Sequence, residues 1–210
     1  MLWFKYHSCN YKIPNTIFLC PTNKKAASIN EYESNKLTSP IKVYESECYG
    51  VVKDSDKLTE DILELKLGMQ VMTIVNSPDN SYQNGTIGHI TEFKDDSIVI
   101  KTNTNTIVEV EKYTWNICNY KVNESGGLEL EIIGSYTQIP LKIAYAITIH
   151  KSQGQTYDKV NIDPACFTEG QLYVALSRAK SVENIYFDKP ILPFYLKTSS
   201  DVIQFYNNLI

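Results

Sequence analysis

The sequence predicts an α/β protein: a parallel-sheet domain into which a small antiparallel β-barrel is inserted. Three observations carry this. Residues 13–37 read as strand, polar loop and helix. Residues 77–135 read as a series of short β-rich runs divided by tight turns. From residue 138 the strand–loop–helix pattern resumes, so the barrel sits between two parts of one α/β domain.

Each element has a local reason. Ile17, Phe18 and Leu19 form a short apolar run suited to a buried strand. Pro21-Thr22-Asn23 makes a turn and a helix N-cap, and Ala26, Ile29, Tyr32 or Glu33, and Lys36-Leu37 follow at helical spacing. Thr22, Asn23 and Lys24 thus fall at the C-terminal edge of a strand, where open α/β sheets bind ligands. Residues 38–67 are mixed and polar and predict a connection with one or two short strands, one of them at 41–44. Gly68 turns the chain into a buried strand at 71–75.

In the β-rich region Asn84-Gly85 is a hairpin signal. Strands are predicted at 86–90, 97–101, 106–111, 113–120 and 128–133, separated by DD, NTN and ESGG. Beyond it, the apolar run 141–149 leads into HKSQGQT, then a strand at 159–162, a helix at 169–179 and a strand at 181–187. A short amphipathic segment, 201–210, ends the chain. The expected division is 1–76 and 138–195 for the α/β domain, 77–137 for the insertion and 196–210 for a tail.

Composition limits the function classes. The 210 residues carry a net charge of −4 and are 43% hydrophobic, ordinary for a globular protein. No apolar stretch approaches the roughly 18 residues of a membrane span, so no membrane association is expected. The start, MLWFKYHSCNYK, makes a poor signal peptide. Five scattered cysteines with no CxxC pair predict neither a disulfide framework nor a zinc site, and hence a reduced, cytoplasmic protein with no metal. The acidic balance argues against a basic nucleic-acid coat protein. It permits a nucleic-acid enzyme whose basic groups are confined to one groove.

Two stretches carry candidate chemistry. ITIHKSQGQT delivers His150, Lys151, Ser152 and Gln153 into a loop closed by Gly154, at the end of an apolar run. Short polar side chains, a flexible glycine and fresh backbone amides suit a phosphate or a nucleic-acid backbone. A solvent-exposed turn with a capping serine explains the same residues. GQLYVALSRAK places Gln171, Val174 or Ala175, and Arg178 on one helical side, with Leu172, Ala175, Leu176 and Ala179 towards a core. Arg178 is the only arginine beside nineteen lysines. Its planar fork suits a transferring phosphoryl group, which a point charge grips less specifically. Capping of helix carbonyls, or a surface ion pair, is the local alternative. No GxxxxGK[ST] loop occurs in the sequence, nor a strand ending in paired acids for magnesium.

Together these segments resemble a family. PLKIAYAITIHKSQGQTYDKVNID is similar to motif V, and FTEGQLYVALSRAKSVENIYF to motif VI, of superfamily 1 DNA helicases of the Pif/RecD-like branch. IFLCPTNKKAASINEYESNKL resembles the motif IV segment. LKLGMQVMTIVNSPDNSYQNGTIGHI, VEVEKYTWNICNY and IGSYTQIPLK resemble the approach to, and later strands of, an SH3-like insertion. The resemblance implies a second RecA-like domain, without a P-loop, bearing an SH3-like barrel. It implies the C-terminal part of a 5′-to-3′ ATP-dependent helicase, whose N-terminal RecA-like domain would precede this chain.

Residue by residue, the resemblance implies that Arg178 is the catalytic arginine finger on the γ-phosphate, with Gly154, Gln155 and Gln171 on the ATP side. It puts Thr22, Asn23, Thr148, His150, Lys151 and Ser152 on single-stranded DNA. ATP and Mg2+ would serve the full-length enzyme, while this chain alone is expected to bind neither and to be inactive as an ATPase. Tyr113 and Trp115 could stack on bases but suit a barrel core better. A non-catalytic DNA- or protein-binding module is the alternative function, and an inert fragment a further one.

Overall fold

The computed structural model describes residues 16–122 and 126–209. The N-terminal stretch read above for a signal peptide, with Cys9, lies outside them, as do Glu124 and Ser125 of the ESGG turn. In chain order the first strands are β1 (Ile17–Cys20), β2 (Lys42–Glu45), β3 (Glu47–Gly50), β4 (Ile62–Leu65) and β5 (Gln70–Thr73). Next come β6 (Ile87–Phe93), β7 (Ser97–Thr102), β8 (Ile107–Glu111), β9 (Tyr113–Val122) and β10 (Leu128–Gln138). The last are β11 (Leu141–Ile143), β12 (Ala146–Thr148), β13 (Val160–Ile162) and β14 (Ile185–Phe187). The described helices are α1 (Asn23–Asn35), α2 (Gln171–Leu176) and α3 (Ser200–Asn207).

The chain divides into two units, 1–36 with 144–210, and 37–143. The first holds a parallel sheet in the order β12-β1-β13-β14. Its strands are mostly apolar, with Thr148 and Asn161 as buried polar exceptions, because a parallel sheet is covered on both faces. Ile17, Leu19, Cys20, Val160, Ile162 and Phe187 are all fully buried. The edge strand β12 is closed off by α1. Asn30 on that helix accepts from the Ala146 N–H at 2.8 Å and donates to its carbonyl at 2.9 Å, as a neighbouring strand would. Thr22 caps α1, its hydroxyl oxygen accepting from the Lys25 N–H at 3.3 Å.

Among the described residues the second unit's sheets are antiparallel: β2-β4, β3-β10-β9 and β11-β5-β6-β7-β8. The fold is therefore mixed α/β, a parallel core sheet with separate antiparallel sheets, as expected for a RecA-like domain bearing an inserted antiparallel subdomain. Residues 37–76 and 138–143, placed in the α/β domain from the sequence, cluster with the antiparallel unit. Strand pairing explains this: among the described residues β2 pairs with β4 alone, and β5 with β6 and β11 alone. Trp115 stacks on the fully buried Tyr136, ring centroids 5.6 Å apart, and Tyr113 leans on Trp115 at 4.9 Å.

Most strand predictions fall close to the observed strands, but residues 38–67 hold three strands (β2, β3 and β4) where one or two were expected. The strand expected at 181–187 is confined to Ile185–Phe187 after a 3-10 turn at Val182–Asn184. The helix at 169–179 is cut to Gln171–Leu176. Gly170 enters it with a left-handed φ of 69°. After Leu176 the chain is captured sideways. The Tyr157 N–H donates to the Arg178 carbonyl at 2.8 Å, and the Lys180 N–H to the Tyr157 carbonyl at 3.0 Å. Apolar period alone carries the helix onward through Ala179, but this two-bond bridge competes for the same backbone groups.

Candidate functional site

The C-terminal ends of the parallel strands form one edge, and each sequence-predicted candidate lies on that edge or against it. β1 and β12 are neighbours, with Cys20 opposite Thr148. The loops that follow them therefore leave the sheet side by side, joined by the Ile149 N–H donating to the Cys20 carbonyl at 2.9 Å. The first loop exposes Thr22 and Asn23; the second is a 3-10 turn at His150–Ser152 that exposes His150 and Lys151.

Thr148 and Ser152 differ from those four. Both are buried. The Thr148 hydroxyl oxygen accepts from the Lys151 N–H at 3.3 Å, and the Ser152 hydroxyl donates to the Ile149 carbonyl at 2.6 Å. They shape the turn that presents His150 and Lys151 rather than standing at its surface. Gly154 continues the loop with a left-handed φ of 77°, and a Cβ there would meet open space. The backbone conformation alone favours glycine at that position.

Arg178 closes this loop from the side of α2. Its Nη1 donates to the carbonyls of Gln155 at 3.0 Å and Ser152 at 3.4 Å, its Nε to the Val174 carbonyl at 3.1 Å, and its Nη2 to the Ser177 hydroxyl at 3.0 Å. The carbonyl cap that the sequence offered as the local alternative is thus present. Gly154, Gln155 and Arg178 are brought together. Gln171 is not part of that group. It is 3% exposed, its Oε1 accepting from the Phe167 N–H at 3.2 Å and its Nε2 donating to the Pro21 carbonyl at 3.3 Å. It braces the start of α2 against the end of β1.

One cluster escaped the sequence reading. Asp163 and Asp188 directly follow β13 and β14, and Lys25 of α1 reaches both, at 2.5 Å and 3.1 Å. Lys189 adds a second contact to Asp163 at 2.8 Å. The Asp163 side chain is 4% exposed and that of Asp188 29%. Burial alone would raise the pKa of Asp163, but hydrogen bonds from Lys189 and Lys25 outweigh it and hold the group below its ordinary value. Asp188 goes the other way: burial raises it, and the Asp163 charge adds to the rise. The usable signal was an aspartate immediately after each of two apolar strands. The cluster fixes the first turn of α1, and so the Thr22-Asn23 loop, to the sheet edge. Among the described residues no three His, Cys, Asp or Glu side chains gather as a metal site. No described helix is long and apolar enough to cross a membrane.

Residues 143–182, which contain both loop and helix, match the model of the UvrD-like helicase C-terminal domain. The chain is 38% identical to the ATP-dependent DNA helicase Pif1 of Campylobacter jejuni over 216 residues, covering 90% of this chain and 47% of that protein. It is 31% identical to human PIF1, covering 91% of this chain and 30% of the relative. Among solved structures, unliganded Pif1 from a Bacteroides species superposes with a TM-score of 0.87 at 32% identity, over 97% of this chain and 47% of that one. Bacteroides Pif1 bound to single-stranded DNA superposes at 0.74 and 31% identity, over 98% and 48%. The chain therefore spans less than half the length of these relatives.

Proposed function

The chain corresponds to the C-terminal-like part of a larger Pif1-type superfamily 1 helicase, and from that premise we propose that it supplies half of a nucleotide site and part of a single-stranded DNA grip. Arg178 is the group that forks onto a phosphate, with Gly154 and Gln155 beside it. Thr22, Asn23, His150 and Lys151 hold the DNA backbone, and Thr148, Ser152 and Gln171 set the loops that carry them. The observation that carries the reading is the shared sheet edge. The loop that exposes His150 and Lys151 is the same loop whose carbonyls hold the Arg178 guanidinium.

The chemistry agrees with these roles. Small hydroxyl and amide groups with a lysine grip phosphates without reading bases. An arginine fork supplies the bidentate charge that a phosphoryl group needs. ATP with Mg2+ supplies the phosphoryl chemistry when bound. In this reading the acids that hold the metal come from the rest of the helicase.

Two measurements test this. Fluorescence anisotropy with a labelled oligo-dT should show weak binding that falls with salt, and Lys151→Gln should flatten the log–log slope by about 0.7, one contact on a single strand. The chain alone should not hydrolyse ATP with or without DNA, while in the longer polypeptide Arg178→Lys should abolish turnover and spare DNA binding. DNA-stimulated hydrolysis by this chain alone, or normal turnover in Arg178→Lys, would sink the assignment.

A further inference from the structure

We propose that Tyr157, which no motif reading singled out, is a positioning residue that holds Gln155 and Arg178 in register with one another. The inference rests on the nucleotide-side reading of that pair. The residue closes a ring of contacts. Its hydroxyl donates to the Gln155 side-chain Oε1. The Gln155 carbonyl accepts from the Arg178 guanidinium at 3.0 Å. The Arg178 carbonyl accepts from the Tyr157 N–H at 2.8 Å, and the Tyr157 carbonyl takes the Lys180 N–H at 3.0 Å. Tyr157 thus touches Gln155 through its side chain and the arginine segment through its backbone, as an isolated parallel bridge opposite Ala179.

Packing does not require the hydroxyl. The side chain is 4% exposed, and a phenylalanine would fill the same volume. A buried phenol needs a partner, and here the partner is a side chain on the candidate loop. Burial pushes the phenol pKa above its ordinary value of 10, with the nearby Arg178 charge opposing only in part, so the group remains a donor throughout the working pH range. The ordering matters because Arg178 makes four hydrogen bonds to protein atoms with five N–H groups. A phosphate can engage the fork only in competition with those acceptors. The position of the Gln155 carbonyl therefore sets where the fork rests and how readily it is given up.

The lone arginine makes the test direct, because the chain has a single Arg Nε–Hε resonance. In Tyr157→Phe, solvent exchange of that resonance should quicken roughly 3- to 10-fold, the scale of one net hydrogen bond. The Gln155 side-chain amide should lose its dispersion, with Tm and the β13 amides unchanged. Gln155→Leu removes the acceptor without touching the buried ring and should loosen Arg178 to the same degree. The double variant should be no looser than either single one. Unchanged Arg178 exchange in both single variants overturns the proposal, whatever Arg178 binds. If Tyr157→Phe lowers Tm, Gln155→Leu decides alone. In the longer polypeptide the same variants should lower kcat for ATP more than they raise KM. Loosened Arg178 with normal turnover overturns the nucleotide-side reading while leaving the positioning contact intact.

Discussion

Replacing Lys25 by methionine removes the ammonium that bridges the ends of β13 and β14 while keeping most of the side chain's apolar length. Removing one partner of a buried ion pair costs about 3–5 kcal/mol when the remaining charge has no other support. Asp163 retains Lys189 at 2.8 Å and the Ala165 N–H at 3.0 Å, so the expected cost is about 2–3 kcal/mol. The damage should concentrate in α1, which the ion pair ties to the sheet edge. At about 1.4 kcal/mol per tenfold, amide exchange along Asn23–Asn35 should accelerate roughly 30- to 160-fold under conditions where opening is the limiting equilibrium. Mass-spectrometric hydrogen exchange on the two proteins reads this directly, with Lys24→Met, an exposed change on the same turn, as control. Acceleration below about threefold would place the pair on the scale of a surface salt bridge and refute the reasoning.

The two aspartates should respond oppositely to neutralisation. Asp163 titrates below its ordinary value of 3.8, so its stabilisation is complete above that value and lost as pH falls through the folded pKa; Asp163→Asn should weaken α1 protection at neutral pH and lose that difference in acid. Asp188 titrates above 3.8, so its favourable contribution exists below 3.8 and vanishes as pH rises through the raised value; Asp188→Asn should be neutral or protective at pH 7 by the same exchange measurement. Gly134→Ala puts a Cβ 2.5 Å from the Val51 carbonyl oxygen and 2.9 Å from that of Tyr49, an overpacking that should cost about 1–3 kcal/mol and show as faster exchange of the Val51 amide. Among the described cysteines, Cys48 and Cys118 are exposed and should react quickly with a disulfide reagent. Cys20 and Cys166, whose thiols burial raises to about 11, should react only on unfolding, as peptide mapping of the labelled protein would show.

What could be read from the sequence was local. β1 and α1 were legible because an apolar run, a proline turn, a capping threonine and helical spacing sit within twenty residues. The strands β6 to β10 of the second unit were legible because NG, DD and NTN punctuate them, whereas β3 and β4 have no such punctuation. The Lys25 cluster was not, since its partners lie 138 and 163 residues further on and only the sheet order β1-β13-β14 brings them together. The end of α2 was misjudged for the same reason: apolar spacing continues to Ala179, but a distant backbone at Tyr157 takes the hydrogen bonds. Likewise Thr148 and Ser152 have the polarity of surface residues, and nothing nearby in sequence announces that their hydroxyls turn inward to backbone groups.

The lone arginine shows why local alternatives need not exclude one another. Capping carbonyls and forking onto a phosphate compete as explanations only if the guanidinium must choose once. Arg178 already accepts the first task, with contacts to Val174, Ser152 and Gln155 that an ammonium could not make in the same planar geometry. If a phosphate takes the Nη1 side of the fork, it does so by displacing the Ser152 or Gln155 carbonyl. Those carbonyls belong to the loop that presents His150 and Lys151. Phosphate occupancy and the conformation of that loop are then linked by mass action, and each must change the other's free energy by the same amount. A lysine at 178 would keep the charge yet lose the planar fork, and with it any such linkage between a phosphate and the loop.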